Sequence, residues 1–347
     1  MSGTSLDGLD IACCRFESDH VEKWGYEITV SYCKDYDKIW KGKLGKAHLL
    51  SGQDLMLLNA EYGSFIGNEI NAFIKEHQLE PNLIASHGHT VFHQPENKLS
   101  FQIGAGSAIY AVTGVPVVSD FRSVDVNLGG QGAPLVPVGD ALLFAEYAFC
   151  LNLGGIANIS FDNNGKRIAF DICGCNLLLN IMANEKGLEY DDNGNLARNG
   201  QVNEELLGDL NSWGYHRLSP PKSLDKETML SECLPLIRSY PISTEDKLAT
   251  LVEYISGQVA DSITNKTGSI LVTGGGAMNK ALMEKIIHKT SLEVVIPATD
   301  IIHFKEALIF AFLGMLRVVN QNNTLTSVTG ARHDSIGGAL YGRNPSF

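Results

Sequence analysis

One aspartate occupies a position that suits acid–base chemistry. Asp171, in the segment FDICGCN, follows an apolar run and precedes a predicted helix. A carboxylate at the end of a strand can take a proton from water or from a hydroxyl group. An aspartate just before a helix also suits the structural role of N-cap. We therefore predict Asp171 as a general base, with the helix N-cap as the alternative role.

A second group of charges lies in the segment SDFRSVD. The guanidinium of Arg122 can grip a carboxylate through two parallel hydrogen bonds, and Asp120 and Asp125 flank it in the chain. The segment predicts either an anion-binding arginine or an internal salt bridge, and the sequence favours neither. Asp120 is also the second candidate for the base.

Three glycine clusters lie beside predicted strands. They are MSGTSLDG at residues 1–8, NLGGIAN at 152–158 and TGGGAMN at 273–279. Turns rich in N–H donors form concave anion sites, and open α/β sheets bind ligands at the carboxyl ends of their strands. The structural alternatives are hairpin turns for the first two clusters and a strand-to-helix turn for the third.

We expect the first two turns to hold the phosphates of a nucleotide and the third to contact its adenosine end. The residues predicted to bind this cofactor are Ser2, Gly3, Thr4, Ser5, Asp7, Gly8, Asn152, Gly154, Gly155, Gly274, Gly275, Gly276 and Asn279. No protein ligand of a metal is assigned with certainty, although a metal ion carried by the phosphates would lie near Asp7. The sequence contains no GxxxxGK[ST], and GAGSAI at 104–109 lacks the third glycine of a dinucleotide fingerprint.

The segment SHGHTVFH brings three histidines close together in the sequence. His87 and His89 share one face of an extended strand, but no further cluster of metal ligands accompanies them. We therefore favour hydrogen-bonding roles for these histidines over a zinc site. Cys173 and Cys175, two residues apart, likewise match no metal or redox pattern.

Composition limits the partners of the protein. The chain has 347 residues and a formal net charge of −12, which argues against nucleic acid or an anionic membrane as a partner. A nucleotide can still bind an acidic protein through backbone amides and helix N-termini. The seven cysteines are scattered, as is typical of reduced thiols. With neither a signal peptide nor an apolar stretch of about 18 residues, the sequence predicts a cytoplasmic protein.

The elements that must position these groups alternate between strands and helices. Strands are predicted at 9–16, 27–32, 82–86, 115–119, 147–153, 159–161, 168–172 and 269–272, and helices at 177–185, 204–210, 243–267 and 304–319, with a helical pair over 51–77. A glycine turn followed by extended segments occurs at the start and again near residue 149. We predict an α/β protein of two lobes, 1–148 and 149–347, whose glycine turns at Gly3 and Gly154–Gly155 face each other across a cleft.

Eight segments, in order along the chain, resemble the anhydro-N-acetylmuramic acid kinase family. They are MSGTSLDGLD, ASHGHTVFHQP, DFRSVDVNLGGQGAPLVP, LNLGGIANIS, PPKS, TGGGAMN, KEALIFAFLG and SVTGA. The resemblance implies the two-lobed acetate-and-sugar-kinase/actin-like fold, with ATP and a sugar in the cleft between the lobes. It also implies that ATP, water and 1,6-anhydro-N-acetylmuramic acid give N-acetylmuramic acid 6-phosphate and ADP, with Mg²⁺ accompanying ATP, in peptidoglycan recycling.

The same resemblance implies roles for individual residues. Asp171 would activate the water that opens the 1,6-anhydro bridge, and Arg122 is a suitable partner for the lactyl carboxylate of the sugar. The residues assigned to sugar binding are His87, Thr90, Asp120, Arg122 and Glu306. A homodimer is left open.

The chain departs from the family pattern at a few positions. The family reads D-x-G-P-G-N where this chain has D-I-C-G-C-N at 171–176, and a positive φ would cost Cys173 or Cys175 about 1–2 kcal/mol. Asn180 stands where the family commonly has aspartate, and the family's short apolar strand before M-S-G-T has no counterpart ahead of Met1. Two alternatives therefore stay open: a divergent kinase for another amino sugar, and a nucleotide-binding paralogue with little or no turnover that acts as a sensor or scaffold.

Overall fold

The computed structural model describes residues 1–3, 6–20, 23–263 and 267–345, without the side chains of residues 19, 20 and 23. The chain divides into two compact units, Met1–Leu143 together with Phe304–Phe347, and Phe144–His303. The sequence had placed all of 149–347 in one lobe, so this division differs from the prediction at the C-terminal end.

The described residues form twelve strands. In chain order they are β1 (Gly8–His20), β2 (Lys23–Asp35), β3 (Ile84–Ser86), β4 (His89–Gln94), β5 (Leu99–Ile103), β6 (Val117–Ser119), β7 (Phe149–Leu153), β8 (Ile156–Asn163), β9 (Lys166–Gly174), β10 (Ser269–Thr273), β11 (Glu293–Val295) and β12 (Ala339–Tyr341).

The same residues form fourteen α-helices. They are α1 (Lys38–Gly45), α2 (Gly52–His77), α3 (Gly106–Thr113), α4 (Ser123–Asn127), α5 (Val136–Leu143), α6 (Asn176–Asn184), α7 (Asn195–Asn199), α8 (Glu204–Asn211), α9 (Lys226–Thr228), α10 (Leu234–Ser239), α11 (Thr244–Ser262), α12 (Lys280–Lys289), α13 (Thr299–Val318) and α14 (Thr326–Thr329). The predicted α/β class is confirmed. The predicted end of helix 243–267 falls partly on residues 264–266, which lie outside the described residues.

The first unit contains three small sheets. β1 pairs antiparallel with β2, β4 pairs antiparallel with β5, and β3 pairs parallel with β6. β12 pairs antiparallel with β6, which explains why the C-terminal residues belong to this unit. Its core is built from aliphatic and tyrosine side chains, among them Tyr62, Ile103 and Ile109.

Residues 52–77 form one helix, where the sequence predicted a helical pair. The side chain of Ser51 caps α2 by accepting from the backbone N–H of Asp54. Two glycines inside the helix serve packing. A Cβ on Gly63 would lie 2.7 Å from the carbonyl oxygen of Ala105, and one on Gly67 would lie 2.9 Å from the Cβ of Val112. The glycines therefore let α3 approach α2 closely.

The second unit is built around one five-stranded sheet. The strand order is β11-β10-β7-β8-β9, with β10 parallel to both β7 and β11 and with antiparallel pairing in β7–β8 and β8–β9. One face packs apolar side chains against helices such as α6 and α11 to form a large core. The unit therefore begins as predicted, with a strand, a glycine turn and two returning strands.

Over the described part of the chain, no helix is both long and apolar enough to cross a membrane.

Candidate functional site

The second and third glycine clusters meet at one edge of the five-stranded sheet. Thr273, the last residue of β10, pairs with Asn152 near the end of β7. Asn176, at the start of α6, donates from Nδ2 to the carbonyl oxygen of Leu153 at 2.9 Å. Carboxyl ends of parallel strands are where α/β sheets bind ligands, so both clusters have the placement that nucleotide binding requires.

The three consecutive glycines differ in how closely they pack on neighbouring residues. A Cβ on Gly274, whose φ is +82°, would lie 2.6 Å from Oδ1 of Asn152, and one on Gly276 would lie 2.6 Å from the Cβ of Leu153. Gly275 is exposed, and a Cβ there would meet only Nδ2 of Asn176 at 3.5 Å. Gly274 and Gly276 therefore allow the turn to pack on β7, whereas Gly275 leaves a bare patch of backbone open to solvent.

Three other predicted nucleotide ligands in this region have hydrogen-bond partners inside the protein. The side chain of Asn279 caps α12 by accepting from the N–H of Leu282 at 3.1 Å. The carbonyl groups of Gly154 and Gly155 accept from the first N–H groups of the α6 segment, including that of Cys175 at 2.9 Å. The donors at this helix N-terminus are therefore already used inside the protein.

Asp171 lies inside β9, three residues before the strand ends, and does not cap α6, whose N-cap is Cys175. Its Oδ2 accepts from the N–H of Leu224 at 2.8 Å, and its carbonyl oxygen accepts from the hydroxyl of Tyr215 at 2.6 Å. Desolvation raises the pKa of the Asp171 carboxyl to about 6, against the lowering effect of the Leu224 hydrogen bond. A carboxyl with that pKa can serve as a base near neutral pH.

The segment PPKS supplies the neighbours of Asp171. The N–H of Asp171 donates to the carbonyl oxygen of Lys222 at 3.2 Å, so the segment covers the free edge of β9. The ammonium of Lys222 lies over the ring of Tyr215, 4.5 Å from its centroid. Desolvation lowers the pKa of Lys222. The sequence analysis matched PPKS to the family but assigned Lys222 no role.

The two cysteines near Asp171 do not adopt the left-handed backbone conformation that favours glycine. Neither Cys173 nor Cys175 has a positive φ, and both side chains are fully buried in the core of the second unit. The expected cost of replacing glycine at these positions is therefore absent. Because both side chains fill core volume, we do not expect glycine at these positions to raise activity.

In the first unit, Arg122 is held in place by two partners. Its Nε and Nη2 both reach Nε2 of His87, at 3.1 and 2.9 Å, and its Nη1 donates to the carbonyl oxygen of Gly132 at 2.7 Å. Burial and the arginine charge hold the pKa of His87 well below its usual range. The ring is therefore neutral, with Nδ1 assigned as the donor to the carbonyl oxygen of Gly88 and Nε2 as the acceptor.

Asp125 organises the glycine-rich loop beside Arg122. Its buried carboxylate accepts from the N–H of Gly132 and from the hydroxyl of Thr329, each at 2.7 Å. A Cβ on Gly130 would lie 2.2 Å from Oδ2 of Asp125, so glycine is required there. The segment SVTGA thus holds the loop through Thr329. Asp125 fixes this loop instead of forming the internal salt bridge that the sequence left open.

Asp120 is exposed directly after β6. Asp120 has a φ of +58° and accepts from the hydroxyl of Ser123 at 2.6 Å. A left-handed non-glycine residue directly after a strand is typical of a functional site. Desolvation raises the pKa of Glu306, and the nearby charge of Arg122 opposes this shift. Glu306 therefore lies close enough to Arg122 to interact with it electrostatically.

The first glycine turn is described only in part, because Thr4 and Ser5 lie outside the described residues. Ser2 pairs with Leu9 across the turn, and the N–H of Leu6 donates to the carbonyl oxygen of Gly3 at 3.5 Å. A Cβ on Gly8 would lie 2.6 Å from the carbonyl oxygen of Lys34, so Gly8 lets β1 pack on β2.

The hydroxyl of Ser2 points into the interior, although the sequence predicted a nucleotide ligand. It accepts from the hydroxyl of Tyr36 at 2.9 Å and lies 3.2 Å from Nδ1 of His89. The hydroxyl is buried with these partners, so it is not available to a phosphate. His87, His89 and His93 all make hydrogen bonds, which is the role that the sequence favoured. The hydroxyl oxygen of Thr90 lies 3.5 Å from Nε2 of Gln102.

The described residues contain no group of three or more His, Cys, Asp or Glu side chains that could hold a metal ion. Asp7 is exposed at the first turn, and Asp10 follows it in β1, opposite Cys33. Mg²⁺ is commonly bound through one or two carboxylates plus substrate phosphates. Asp7 and Asp10 are carboxylates of the kind that this mode of binding uses, and the sequence alone indicated only Asp7.

The whole chain is similar to one group of proteins. A family model described as anhydro-N-acetylmuramic acid kinase matches residues 1–343. A protein named anhydro-N-acetylmuramic acid kinase from Vibrio parahaemolyticus is 34% identical over 373 residues, covering 99% of this chain and 97% of that protein. A protein of the same name from Sulfurimonas denitrificans is 33% identical over 368 residues, covering 98% of each.

Similarity to solved structures is weak. The (R)-2-hydroxyglutaryl-CoA dehydratase component A of Acidaminococcus fermentans matches with a TM-score of 0.33 and 16% identity, covering 50% of this chain and 63% of that chain. A TM-score of this size supports no conclusion about the arrangement of the two units.

Proposed function

The chain belongs to the anhydro-N-acetylmuramic acid kinase family, and from this premise we propose that it is an ATP-dependent kinase. Its reaction converts 1,6-anhydro-N-acetylmuramic acid, water and ATP into N-acetylmuramic acid 6-phosphate and ADP. The observation that supports the proposal is the environment of Asp171. Its carboxyl has a pKa of about 6 and lies on the same sheet as the two glycine turns of the second unit.

Asp171 starts the proposed reaction by taking a proton from water. The water oxygen bonds to C1 of the sugar while the bond between C1 and O6 breaks. O6 then bonds to the γ-phosphorus, the bond from phosphorus to the departing ADP oxygen breaks, and Asp171 releases its proton to solvent. No proton has to reach O6, because the new bond to phosphorus replaces the bond to C1. A single base therefore serves both bond-breaking events.

Arg122 provides the proposed contact with the lactyl carboxylate of the sugar. A guanidinium has five N–H donors, and three of them are used by His87 and Gly132. One donor on each terminal nitrogen is left, and two parallel donors match a carboxylate. His87 fixes the orientation of the guanidinium, while Glu306, Asp120 and Thr90 stay proposed contacts for the rest of the sugar.

We propose that Asp7 and Asp10 help to hold Mg²⁺ on the phosphates of ATP. When bound, Mg²⁺ neutralises charge that develops during phosphoryl transfer. The seven cysteines are free thiols, which is typical of a reducing compartment. Together with the use of ATP, this supports a cytoplasmic location for the reaction.

Gly275 tests the proposed site for the adenosine end of ATP. We expect Gly275→Val to raise the KM for ATP about tenfold, a loss of about 1.4 kcal/mol, because its side chain would cover the exposed backbone of the turn. The backbone there tolerates a side chain, so the thermal midpoint should stay near that of the parent. Gly208→Val, on an exposed helix position with open space around it, is the control. ATP kinetics that are equally unchanged in both variants would rule out this site.

The pKa of Asp171 predicts the pH dependence of the reaction. The base must be ionised, so kcat/KM for the sugar should rise with pH and level off above about 6. For an aspartate with an ordinary pKa, this rise, the acid limb of the profile, would be centred near pH 4. The measurement is kcat/KM for the sugar between pH 4.5 and 8 in buffers of constant ionic strength. If ADP is followed by a coupled enzyme assay, a control checks that the coupling enzymes are not rate-limiting at any pH. An acid limb near 4 would contradict the assignment of Asp171 as a desolvated base.

The substrate is tested by ADP release with purified protein, Mg-ATP and a panel of sugars. We expect turnover with 1,6-anhydro-N-acetylmuramic acid, and none with N-acetylmuramic acid, which lacks the anhydro bridge. Turnover only with another amino sugar would support a divergent kinase. Nucleotide binding without turnover on any sugar would support the paralogue, although neither Cys173 nor Cys175 has the positive φ that would have made the loss of glycine costly.

A further inference from the structure

Four polar side chains form a row across the sheet of the second unit. Thr273 pairs with Asn152, Asn152 with Asn158, and Asn158 with Asp171, so the row crosses β10, β7, β8 and β9. Directly paired residues project from the same face of a sheet. The row therefore connects the proposed nucleotide turns with the proposed base, and Asn158 is its central member.

The row lies on the sheet face opposite the core of this unit. The residues one position away, Leu151, Ile159 and Phe170, pack into or against that core. Because successive side chains alternate between the two faces of a strand, Asn152, Asn158 and Asp171 project to the other side. The bulge between Ala157 and Asn158 sets this register by inserting one extra residue on β9.

Asn158 has the exposure expected of a ligand-binding group. It is half-buried, and within the described chain no protein group hydrogen-bonds to its side chain. Asn176, by contrast, is tied to the carbonyl oxygen of Leu153. A half-buried amide in the middle of a polar row that has no hydrogen-bond partner in the protein is able to bind a ligand.

We propose that Asn158 contacts the sugar and donates from its amide to O6 of the anhydro bridge. This inference rests on the proposed function. Cβ atoms of directly paired residues are about 4.5–5.5 Å apart, so the amide lies beside the Asp171 carboxylate and beside Asn152 at the phosphate turn. Asp171 accepts the proton of water, and the amide of Asn158 stabilises negative charge on O6 as the bond from C1 breaks. Asn158 thus holds the acceptor oxygen between the base and the phosphate turn.

Two substitutions at Asn158 test this role against a structural one. Asn158→Ala should lower kcat about 10²-fold, as does loss of an oxyanion donor, with the KM for ATP changed less than about threefold. Asn158→Asp is nearly isosteric and places a second carboxylate beside Asp171. It should move the acid limb of the kcat profile upward by about one pH unit, because a like charge disfavours ionisation. Tyr215 and Lys222, the titratable neighbours of Asp171, are the same in parent and variant.

Asn163→Ala, at the exposed far end of the same strand, is the control and should match the parent. If Asn158→Ala does not fold, as judged by thermal unfolding, the acid limb of the kcat profile of Asn158→Asp tests the role of Asn158 instead. Parent-like kcat in the Ala variant, or an unmoved acid limb in the Asp variant, overturns the role of Asn158 while the proposed function stands. A parent protein without turnover overturns the proposed function, and the inference with it.

Discussion

We expect Asp171→Asn to lower kcat about 10⁴-fold and to leave ATP binding unchanged. Removal of a general base typically costs 10²–10⁴ in rate, and here one proton abstraction starts both bond-breaking events, so the upper end applies. Asparagine keeps the shape of the side chain and can still accept the hydrogen bond from the N–H of Leu224. The fold and the nucleotide turns should therefore stay intact. Steady-state kinetics with the anhydro sugar and calorimetric titration with ATP measure the two effects separately.

Asp162→Asn is the matched control for this substitution. Asp162 is exposed near the β8–β9 turn, where its Oδ1 accepts from the N–H of Gly165 at 3.0 Å, and an amide oxygen can accept the same bond. This variant should have the kinetics of the parent. Near-parental turnover by Asp171→Asn would mean that the base lies elsewhere, and Asp120 would become the next candidate.

We expect Arg122→Ala to lower kcat/KM for the anhydro sugar about 10²–10⁴-fold. Two hydrogen bonds to a charged group are worth about 1.5–3 kcal/mol each, and each 1.4 kcal/mol corresponds to a factor of ten. The KM for ATP should change little, because the predicted ATP residues are not partners of Arg122. Arg122→Lys should recover only part of the loss, since lysine keeps the charge but lacks the planar pair of donors.

The sugar itself supplies the control for Arg122. 1,6-Anhydro-N-acetylglucosamine has no lactyl carboxylate, so the parent and Arg122→Ala should process it at similar, low efficiency. Thermal unfolding of both proteins checks that the contacts from Arg122 to His87 and Gly132 are not needed for folding. An equal loss on both sugars would show that Arg122 acts by supporting the structure, and the proposed carboxylate contact would be wrong.

The sequence predicted the long, regular elements well. The period of apolar residues identified α11 and α13, because a helix that packs one face on a core must repeat that face every three to four residues. Short elements gave no such signal. β12 has three residues and forms only because β6, far away in the chain, offers an edge. In α2 the sequence shows the glycines but not α3, the helix that requires them.

The sequence indicated candidate site residues where a residue type limits the chemistry. Asp171 carries a charge at the end of an apolar run, and Arg122 lies in a charged segment between Asp120 and Asp125. Ser2 was assigned to a ligand because nothing local reveals that Tyr36 and His89 surround its hydroxyl. Asn158 was missed for a related reason. Its importance comes from pairing with Asp171 across two strands, and strand register is a property of the folded sheet.

Product analysis after a complete reaction tests directly whether the protein couples opening of the anhydro bridge to phosphorylation of O6. Purified protein is incubated with Mg-ATP and 1,6-anhydro-N-acetylmuramic acid, and the products are followed by ³¹P NMR and mass spectrometry, with Asp171→Asn in parallel. We predict one ADP for each sugar consumed, a phosphate ester on C6, and a mass that shows the addition of one water and one phosphoryl group. An intact anhydro bridge, a phosphate on another hydroxyl, or ADP formed without phosphorylated sugar would contradict the account.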